Sequence, residues 1–435
     1  MTSRFLQAFK TDFAKNVMVL SSGVTMAQLA SFLLTPVVAR LYAPEAFGLM
    51  AFFLSIATPL TNISSLKYDQ AVLIADSDTA AGRLSSLACW INFIFCALCL
   101  AVLGAYKLLG NRLLSDLGYW IYLVPIFILI SGQIRINNSE CVSRQRFKTI
   151  SSANIVGGLA TPLLRIAYAL SLSAVLSGLI LAQLVSDAAK VLILIGGRSG
   201  QRLPRRTIRE LVETARAYLD FPRYALPTGL LFSLGNQAPV LMLGMLFEPA
   251  LVGYYALANR LIRMPVDLIS QPIRQVFIQK VTEKVKHGDS ILRLFILLGI
   301  AMGLSLLPFL ILVELFGEQL FALMLGAEWT QAGNIAGIIF PWVFMSFIIN
   351  PLSSLYIVFR KQAHWLRFQV ALNVLLLAVF FGSHFMALEA AILLWIVTAI
   401  NVLIYGLVIV HLVSLTVQYE KANRQPIRDD RISNG

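Results

Sequence analysis

Long apolar segments dominate this sequence. Twelve stretches of about 20 residues or more carry few charges, and about 20 apolar residues are needed to cross the hydrocarbon core of a bilayer. Of all residues, 58% are hydrophobic and 13% are charged, whereas a soluble domain has about 25% charged residues. Most of the surface must therefore face lipid, and the sequence predicts an all-α integral membrane protein. The predicted spans are residues 16–39, 45–66, 84–106, 118–138, 150–170, 174–195, 224–247, 250–279, 291–313, 331–358, 367–387 and 390–413.

Basic residues between these spans predict the orientation of the chain. With twelve spans, 26 of the 35 Lys and Arg residues fall on one side, and three (Arg40, Lys107 and Arg112) fall on the other. Cytoplasmic loops carry the excess of Lys and Arg, so both termini are predicted to be cytoplasmic. The net charge of +13 follows from this orientation and does not indicate nucleic-acid binding. The first apolar run is too long for a signal peptide, and we expect it to remain as the first span.

A short motif occurs in both halves of the chain. LYAPEAFGLMAFF (41–53) and LFEPALVGYYALA (246–258) each lie where the first span of a half turns into the second. Six spans, a link and six more spans in the same orientation form a parallel repeat of the kind found in transporters. The identical pairs are Leu41/Leu246, Pro44/Pro249, Gly48/Gly253 and Ala51/Ala256. The predicted domains are an N-terminal six-helix lobe (1–195), a linker helix (196–222), a C-terminal six-helix lobe (223–413) and a cytoplasmic tail (414–435).

The predicted linker contains an amphipathic helix. Apolar residues recur at helical spacing from Ile208 to Leu219, while Arg209, Glu213 and Arg216 share the opposite face. A basic amphipathic helix beside a membrane lies in the inner interface. The alternative is a solvated connector, and the sequence leaves both open.

Charged residues inside a span are costly, and they indicate function or a water-filled cavity. In span eight, Arg260 lies about ten residues from the helix start, or about 15 Å, close to the midplane. Arg260, Arg263, Asp267, Gln271 and Arg274 share one helical face. In one interpretation Arg263 and Asp267 neutralise each other. In the other, which we favour because no acidic residue is three or four positions from Arg260, the stripe faces a hydrated cavity and binds a phosphate or pyrophosphate.

The other candidate residues each lie near a membrane surface or beside another charge: Arg40, Lys67, Arg135, Arg165, Asp187 and Lys190. Arg40, Lys67 and Arg165 are candidate substrate ligands, and Arg135 either snorkels to the inner surface or contacts a ligand. Asp187 and Lys190 form either a structural pair or a proton or cation site, and Asp267 is a further candidate for a charge pair or ion coupling.

Several kinds of chemistry are absent from the sequence. No G-x-x-x-x-G-K-[ST] phosphate loop and no G-x-S-x-G nucleophile motif occurs. The four cysteines have no disulfide or metal spacing, and the four histidines are scattered. We therefore expect no cofactor, no metal site and no enzymatic reaction, and transport driven by a gradient or by the membrane potential.

Three segments carry a resemblance to a known family: TPVVARLYAPEAFGLMAFFLSI (35–56), SLKYDQAVL (65–73) and FEPALVGYYALANRLIRMP (247–265). Over essentially its whole length, the chain resembles bacterial O-antigen and polysaccharide flippases of the multidrug/oligosaccharidyl-lipid/polysaccharide exporter superfamily. The resemblance implies two pseudo-symmetric lobes of six helices each, about twelve helices in all, around a central cavity. It also implies alternating access in the inner membrane, moving undecaprenyl-pyrophosphate-linked oligosaccharide from the cytoplasmic to the periplasmic leaflet.

The same resemblance implies site residues and partners. Arg260 first, Arg263 second and Arg40 third would meet the pyrophosphate. The implied partners are the lipid-linked oligosaccharide, membrane lipid, a polysaccharide polymerase and a chain-length regulator, with no nucleic acid. Two alternatives remain: a multidrug or cation exporter of the same superfamily, and a membrane polysaccharide polymerase. Twelve spans argue against the lipid II flippase branch, which usually has two more helices.

Overall fold

The structure is a computed structural model that describes residues 23–75, 77–108, 115–171, 176–196, 207–359, 361–386 and 388–424. Within these ranges the chain forms helices and turns and no β-strand. The first four helices are α1 (Gly23–Leu41), α2 (Pro44–Ile63), α3 (Tyr68–Ala71) and α4 (Asp78–Leu108). They are followed by α5 (Val124–Ser143), α6 (Phe147–Ser171), α7 (Leu176–Gly196), α8 (Ile208–Ala217), α9 (Leu226–Leu246), α10 (Pro249–His287), α11 (Leu292–Leu325), α12 (Thr330–Leu352), α13 (Leu355–Val358), α14 (Gln362–Met386) and α15 (Ala390–Arg424).

Each predicted span coincides with one of the long helices. Among the described residues, 11 helices are long and apolar enough to cross a membrane. The twelfth is α10, whose 39 residues contain the charged stripe of predicted span eight and are too polar for the same criterion. The all-α membrane fold is therefore confirmed. Residues 16–22 of the first predicted span lie outside the described part of the chain.

Residues 314–330, which lie between the predicted spans 291–313 and 331–358, are mostly helix, because α11 continues to Leu325. Glu314 and Glu318 therefore lie on α11 and not in a loop. Packing explains the extension, since a Cβ on Gly333 of α12 would lie 2.3 Å from the carbonyl oxygen of Gly317. The two helices touch through their backbones at this point, which keeps α11 regular beyond its apolar segment.

Two predicted cytoplasmic segments are also resolved into helices. Helix α15 continues to Arg424, inside the predicted tail, and residues 425–435 lie outside the described chain. The linker forms α8, whose residues Leu211 and Ala215 pack against a buried cluster that includes Leu84 of α4. The Tyr68 hydroxyl donates a hydrogen bond to the Ala215 carbonyl over 3.0 Å. The apolar face of α8 thus contacts protein, and its position relative to the membrane stays a prediction.

Contacts between Cα atoms divide the chain into two compact units, Met1–Ala256 and Leu257–Gly435. The division falls inside α10 and not at the linker, because α9 packs along α2 and belongs to the first unit. The predicted lobe boundaries follow the sequence repeat, whereas these two units follow spatial contacts. The lobe boundaries therefore stay predictions.

The two copies of the repeated motif meet inside the first unit. Pro44 and Pro249 begin α2 and α10, and a glycine follows each of them four residues later. A Cβ on Gly48 would lie 1.7 Å from the Pro249 carbonyl oxygen, and a Cβ on Gly253 would lie 2.0 Å from that of Pro44. The contact is therefore pseudo-symmetric, since each glycine packs on the proline of the other copy. Matching positions of the sequence repeat are thus matching positions in space.

Candidate functional site

The charged stripe of α10 lies opposite the buried face of that helix. Ile262 and Val266 are buried at a spacing of four residues, whereas Arg260, Asp267 and Gln271 are exposed. The helical periodicity that placed these polar residues on one face is therefore confirmed.

Arg263 is held by two neighbours that the sequence did not suggest. Its Nε donates a hydrogen bond to Asn259 Oδ1 over 2.8 Å, and its guanidinium carbon lies 4.6 Å from the centre of a Trp342 ring. Within the described chain, no ion pair shorter than 4.0 Å joins Arg263 to Asp267. Arg263 is nevertheless the charged group that acts on the Asp267 carboxylate, so both interpretations of this pair stay predictions. A stacked, hydrogen-bonded guanidinium keeps a fixed orientation.

Lys67 lies in a buried polar cluster at the end of α2. Its ammonium donates to Asn62 Oδ1 over 2.6 Å, and Nη1 of Arg135 donates to the same oxygen over 2.7 Å. Nη2 of Arg135 pairs with the Asp69 carboxylate over 3.2 Å. Burial lowers the pKa of the Lys67 ammonium, and the positive charge of Arg135 lowers this pKa further. Arg135 is therefore bound to protein groups, and snorkelling and ligand contact both stay predictions for this residue.

Three predicted residues belong to one hydrogen-bonded network between α6 and α7. Nη2 of Arg165 donates to Gln183 Oε1 over 3.2 Å, and Nε2 of Gln183 donates to Asp187 Oδ2 over 2.9 Å. Lys190 Nζ pairs with Asp187 Oδ1 over 2.8 Å. Sequence reasoning found both ends of this network and missed Gln183, which joins them. This geometry favours the structural interpretation of the Asp187–Lys190 pair.

We expect Asp187→Asn to destabilise the protein by about 1–3 kcal/mol, because Lys190 would stay charged without its carboxylate. Breaking a fully buried pair costs about 3–5 kcal/mol, and the smaller value allows for solvent at Lys190, whose side chain is 21% exposed. Thermal unfolding in detergent measures the effect, and Asp187→Asn combined with Lys190→Met should recover most of the stability. A single variant that unfolds like the wild type but no longer transports would instead identify a proton or cation site.

The remaining candidates are not part of these clusters. Arg40 is exposed at the end of α1.

Where the structure describes the chain, no three His, Cys, Asp or Glu residues form a group that could hold a metal ion. Two of the histidines that are scattered in sequence do meet: the rings of His364 and His411 stack with centroids 5.1 Å apart, and Tyr356 Oη lies 2.9 Å from Nδ1 of His411.

Comparison with solved structures places the fold among membrane transporters. An inward-facing multidrug resistance MATE family transporter of the MOP superfamily superposes with a TM-score of 0.66 at 12% identity, covering 91% of this chain and 95% of that one. The lipid II flippase MurJ, in an inward closed conformation, gives 0.70 at 10% identity, covering 93% and 90%. A eukaryotic MATE transporter gives 0.53 at 13% identity, covering 94% and 98%. The chain thus has the two-lobe transporter fold, and identities this low show the fold alone.

Comparison by sequence identifies the family. No curated protein matches the chain. A family model described as polysaccharide biosynthesis protein matches residues 37–334, a range that includes two of the three segments quoted for the resemblance and nearly all of the third, together with all the charged candidates. Because this match extends over more than half of the sequence, the chain belongs to the family of polysaccharide biosynthesis proteins.

Proposed function

We propose that the protein is a flippase that moves undecaprenyl-pyrophosphate-linked oligosaccharide, an O-antigen or other surface polysaccharide repeat unit, from the cytoplasmic to the periplasmic leaflet. The observation that carries this proposal is the match of residues 37–334 to the polysaccharide biosynthesis family. The fold shared with MurJ, which is a lipid II flippase, supports transport of a lipid-linked head group. The proposed location is the bacterial inner membrane, with both termini in the cytoplasm.

The physical problem for such a flippase is the charge of the pyrophosphate. An isolated anion in hydrocarbon is costly by tens of kcal/mol, so the head group needs water or fixed positive charge along its path. Arg260 is exposed on a helix otherwise built to span the membrane, and guanidinium groups bind phosphate oxygens bidentately. We assign Arg260 as the first ligand and Arg263 as the second. The orientation imposed on Arg263 by Trp342 and Asn259 reduces the entropy lost on binding.

We assign different roles to the other predicted ligands. Arg165 and Lys67 are buried and hydrogen-bonded to protein groups, so we assign neither to the first contact with substrate. Arg40 is exposed and lies at the predicted outer surface, where the head group would leave. We further propose alternating access without a cofactor or a catalysed reaction, and cooperation with a polysaccharide polymerase and a chain-length regulator.

A multidrug or cation exporter is the second candidate, and the fold shared with MATE transporters favours it. A cationic cargo would need a carboxylate of the protein as its ligand, and Asp267 is an exposed carboxylate on the α10 stripe. However, Arg260 lies on the same face, seven residues or about 10.5 Å away along the helix, and its charge repels cations. The charge of the stripe therefore supports an anionic cargo.

Deleting the gene should abolish surface polysaccharide and cause single lipid-linked repeat units to accumulate on the cytoplasmic leaflet. The reason is that a missing flippase blocks the step between synthesis of the unit and its polymerisation. Gel analysis of surface polysaccharide, together with leaflet-specific labelling of lipid-linked intermediates, measures both effects, and the wild-type gene supplied in trans is the control. Single units that reach the periplasmic leaflet would indicate a polymerase. Altered drug susceptibility with normal polysaccharide would indicate an exporter.

A further inference from the structure

We propose that Lys67 is a proton-binding residue whose protonation controls the contact between α2 and α9. The site lies at the predicted cytoplasmic end of α2, apart from the α10 stripe. The inference goes beyond the flippase proposal, because it names a proton site and the contact that the proton controls. It requires neither Arg260 nor a particular cargo. Four observations carry it: the backbone, the hydrogen bonds, the charge balance and the approach of α9.

The backbone around Lys67 has an unusual conformation. Leu66 has a φ of 48° and Lys67 a φ of 66°, so two consecutive residues other than glycine are left-handed. This conformation costs about 1–2 kcal/mol for each such residue. Strain of this kind persists where surrounding contacts impose it, and it is concentrated at functional sites. Here the turn directs a lysine inward, and Lys67 is only 3% exposed.

The hydrogen bonds of the Lys67 ammonium are incomplete. An ammonium group has three N–H donors. Among the residues that the structure describes, its one acceptor is Asn62 Oδ1, which also accepts from Arg135. The carboxylate of Asp69 has other partners, since it accepts from Ser65 Oγ over 2.6 Å and pairs with Arg135. A buried cation with one shared acceptor is poorly stabilised.

The charge balance of the cluster also favours loss of the proton from Lys67. Arg135 and Asp69 are the two charged groups that act on Lys67, and together the three side chains carry one excess positive charge. Desolvation and Arg135 lower the pKa of Lys67, and Asp69 raises it by less. Tyr68 is the other titratable neighbour, and burial raises its pKa. Loss of the Lys67 proton would remove the excess charge.

Helix α9 completes the burial of Lys67. A Cβ on Gly229 would lie 2.5 Å from Lys67 Cε and 2.7 Å from its Nζ, so the lysine packs directly on the α9 backbone. Asn62 Nδ2 donates to the Gly229 carbonyl over 2.8 Å. The same contact that shields Lys67 from water therefore joins α2 to α9. If α9 moved away, the ammonium would be hydrated.

The direction of the coupling follows from linkage. In the packed arrangement the pKa of Lys67 is lowered, and in a separated arrangement it returns towards the ordinary value of about 10.4. The separated arrangement therefore binds the proton more tightly. Acidification favours separation of α2 and α9, and alkalinisation favours packing, in the pH window between the lowered pKa and the ordinary one.

The test is a pH titration of the distance between the two segments. One spin label is placed at Ile74, in the segment that follows α2 and α3, and the other at Tyr224, two residues before α9; these side chains are 62% and 60% exposed. Double electron–electron resonance in nanodiscs, with the four native cysteines replaced, then reports the distance between the chain that leaves α2 and the chain that enters α9. We expect the separated population to fall as the pH rises through the window between the lowered pKa of Lys67 and the ordinary value of about 10.4. Lys67→Met, which is always neutral, should stay packed without titrating. Lys67→Arg, which is always charged, should stay separated across the range.

The proposal is overturned if Lys67→Met keeps the wild-type titration, or if the wild type and Lys67→Arg are packed at every pH. The distance measurement uses no substrate, so a negative result here leaves the flippase proposal intact, and a normal gene-deletion phenotype leaves this one intact.

Discussion

Arg260→Ala is expected to abolish surface polysaccharide while the protein remains in the membrane at its normal level. The alanine removes the exposed guanidinium of α10 and with it the charge-assisted hydrogen bonds to the pyrophosphate. Such bonds contribute about 1.5–3 kcal/mol, which corresponds to binding weaker by about 10- to 150-fold. Gel analysis of surface polysaccharide and an immunoblot of the membrane fraction give the two readouts.

Two further variants of α10 separate charge from geometry. Arg260→Lys keeps the positive charge but loses the planar fork, so we expect partial activity between those of alanine and wild type. Gln279→Ala changes another exposed side chain of the same helix outside the proposed site, and it should leave polysaccharide unchanged. Normal surface polysaccharide in Arg260→Ala would remove Arg260 from the transport mechanism.

Gly48→Ala should destabilise the fold by about 3 kcal/mol, the upper end of the usual range of about 1–3 kcal/mol for overpacking. Its Cβ would lie 1.7 Å from the Pro249 carbonyl oxygen. Because that atom belongs to the backbone, no side chain can rotate away, and α2 and α10 would have to move apart. Thermal unfolding in detergent, followed by size-exclusion chromatography, measures the loss.

Gly406→Ala is the matched control for this variant. Gly406 lies inside α15, and a Cβ there would meet no atom within 4 Å. Replacing a helical glycine by alanine at an open position stabilises by about 0.5–1 kcal/mol. A Gly48→Ala protein that unfolds at the temperature of Gly406→Ala would show that the crossing of α2 and α10 tolerates a side chain.

The parts of the fold that the bilayer imposes could be predicted from the sequence. The length of apolar segments located the long helices, because each segment must match the hydrocarbon thickness. The ends of the helices were less predictable, since beyond the hydrocarbon they depend on packing. The contact between Gly317 and Gly333, which accompanies the extension of α11 through a predicted loop, leaves no periodic signal in the sequence.

The candidate site also has features that the sequence predicts and features that only the tertiary structure shows. Helical spacing was sufficient to place Arg260 and Asp267 on one face of α10, because neighbours within a helix follow from its geometry. The contact of Arg263 with Trp342 joins two helices, and the pair of Arg135 with Asp69 joins residues 66 positions apart. Such partners are set by tertiary structure. The quoted segment SLKYDQAVL contained Lys67 and Asp69, but its sequence did not show that Asn62 lies between two cations.

The backbone crossing of α2 and α10 also makes its two glycines interdependent. Each position accepts no side chain because the other helix is in van der Waals contact with it, so a substitution at Gly48 that widens the crossing would leave room at Gly253 as well. The two losses should then be less than additive, as is usual for residues that share a contact. Among related sequences, the residues at positions 48 and 253 are therefore expected to covary. Two small residues, or two larger ones, should occur together more often than one small residue with one larger residue.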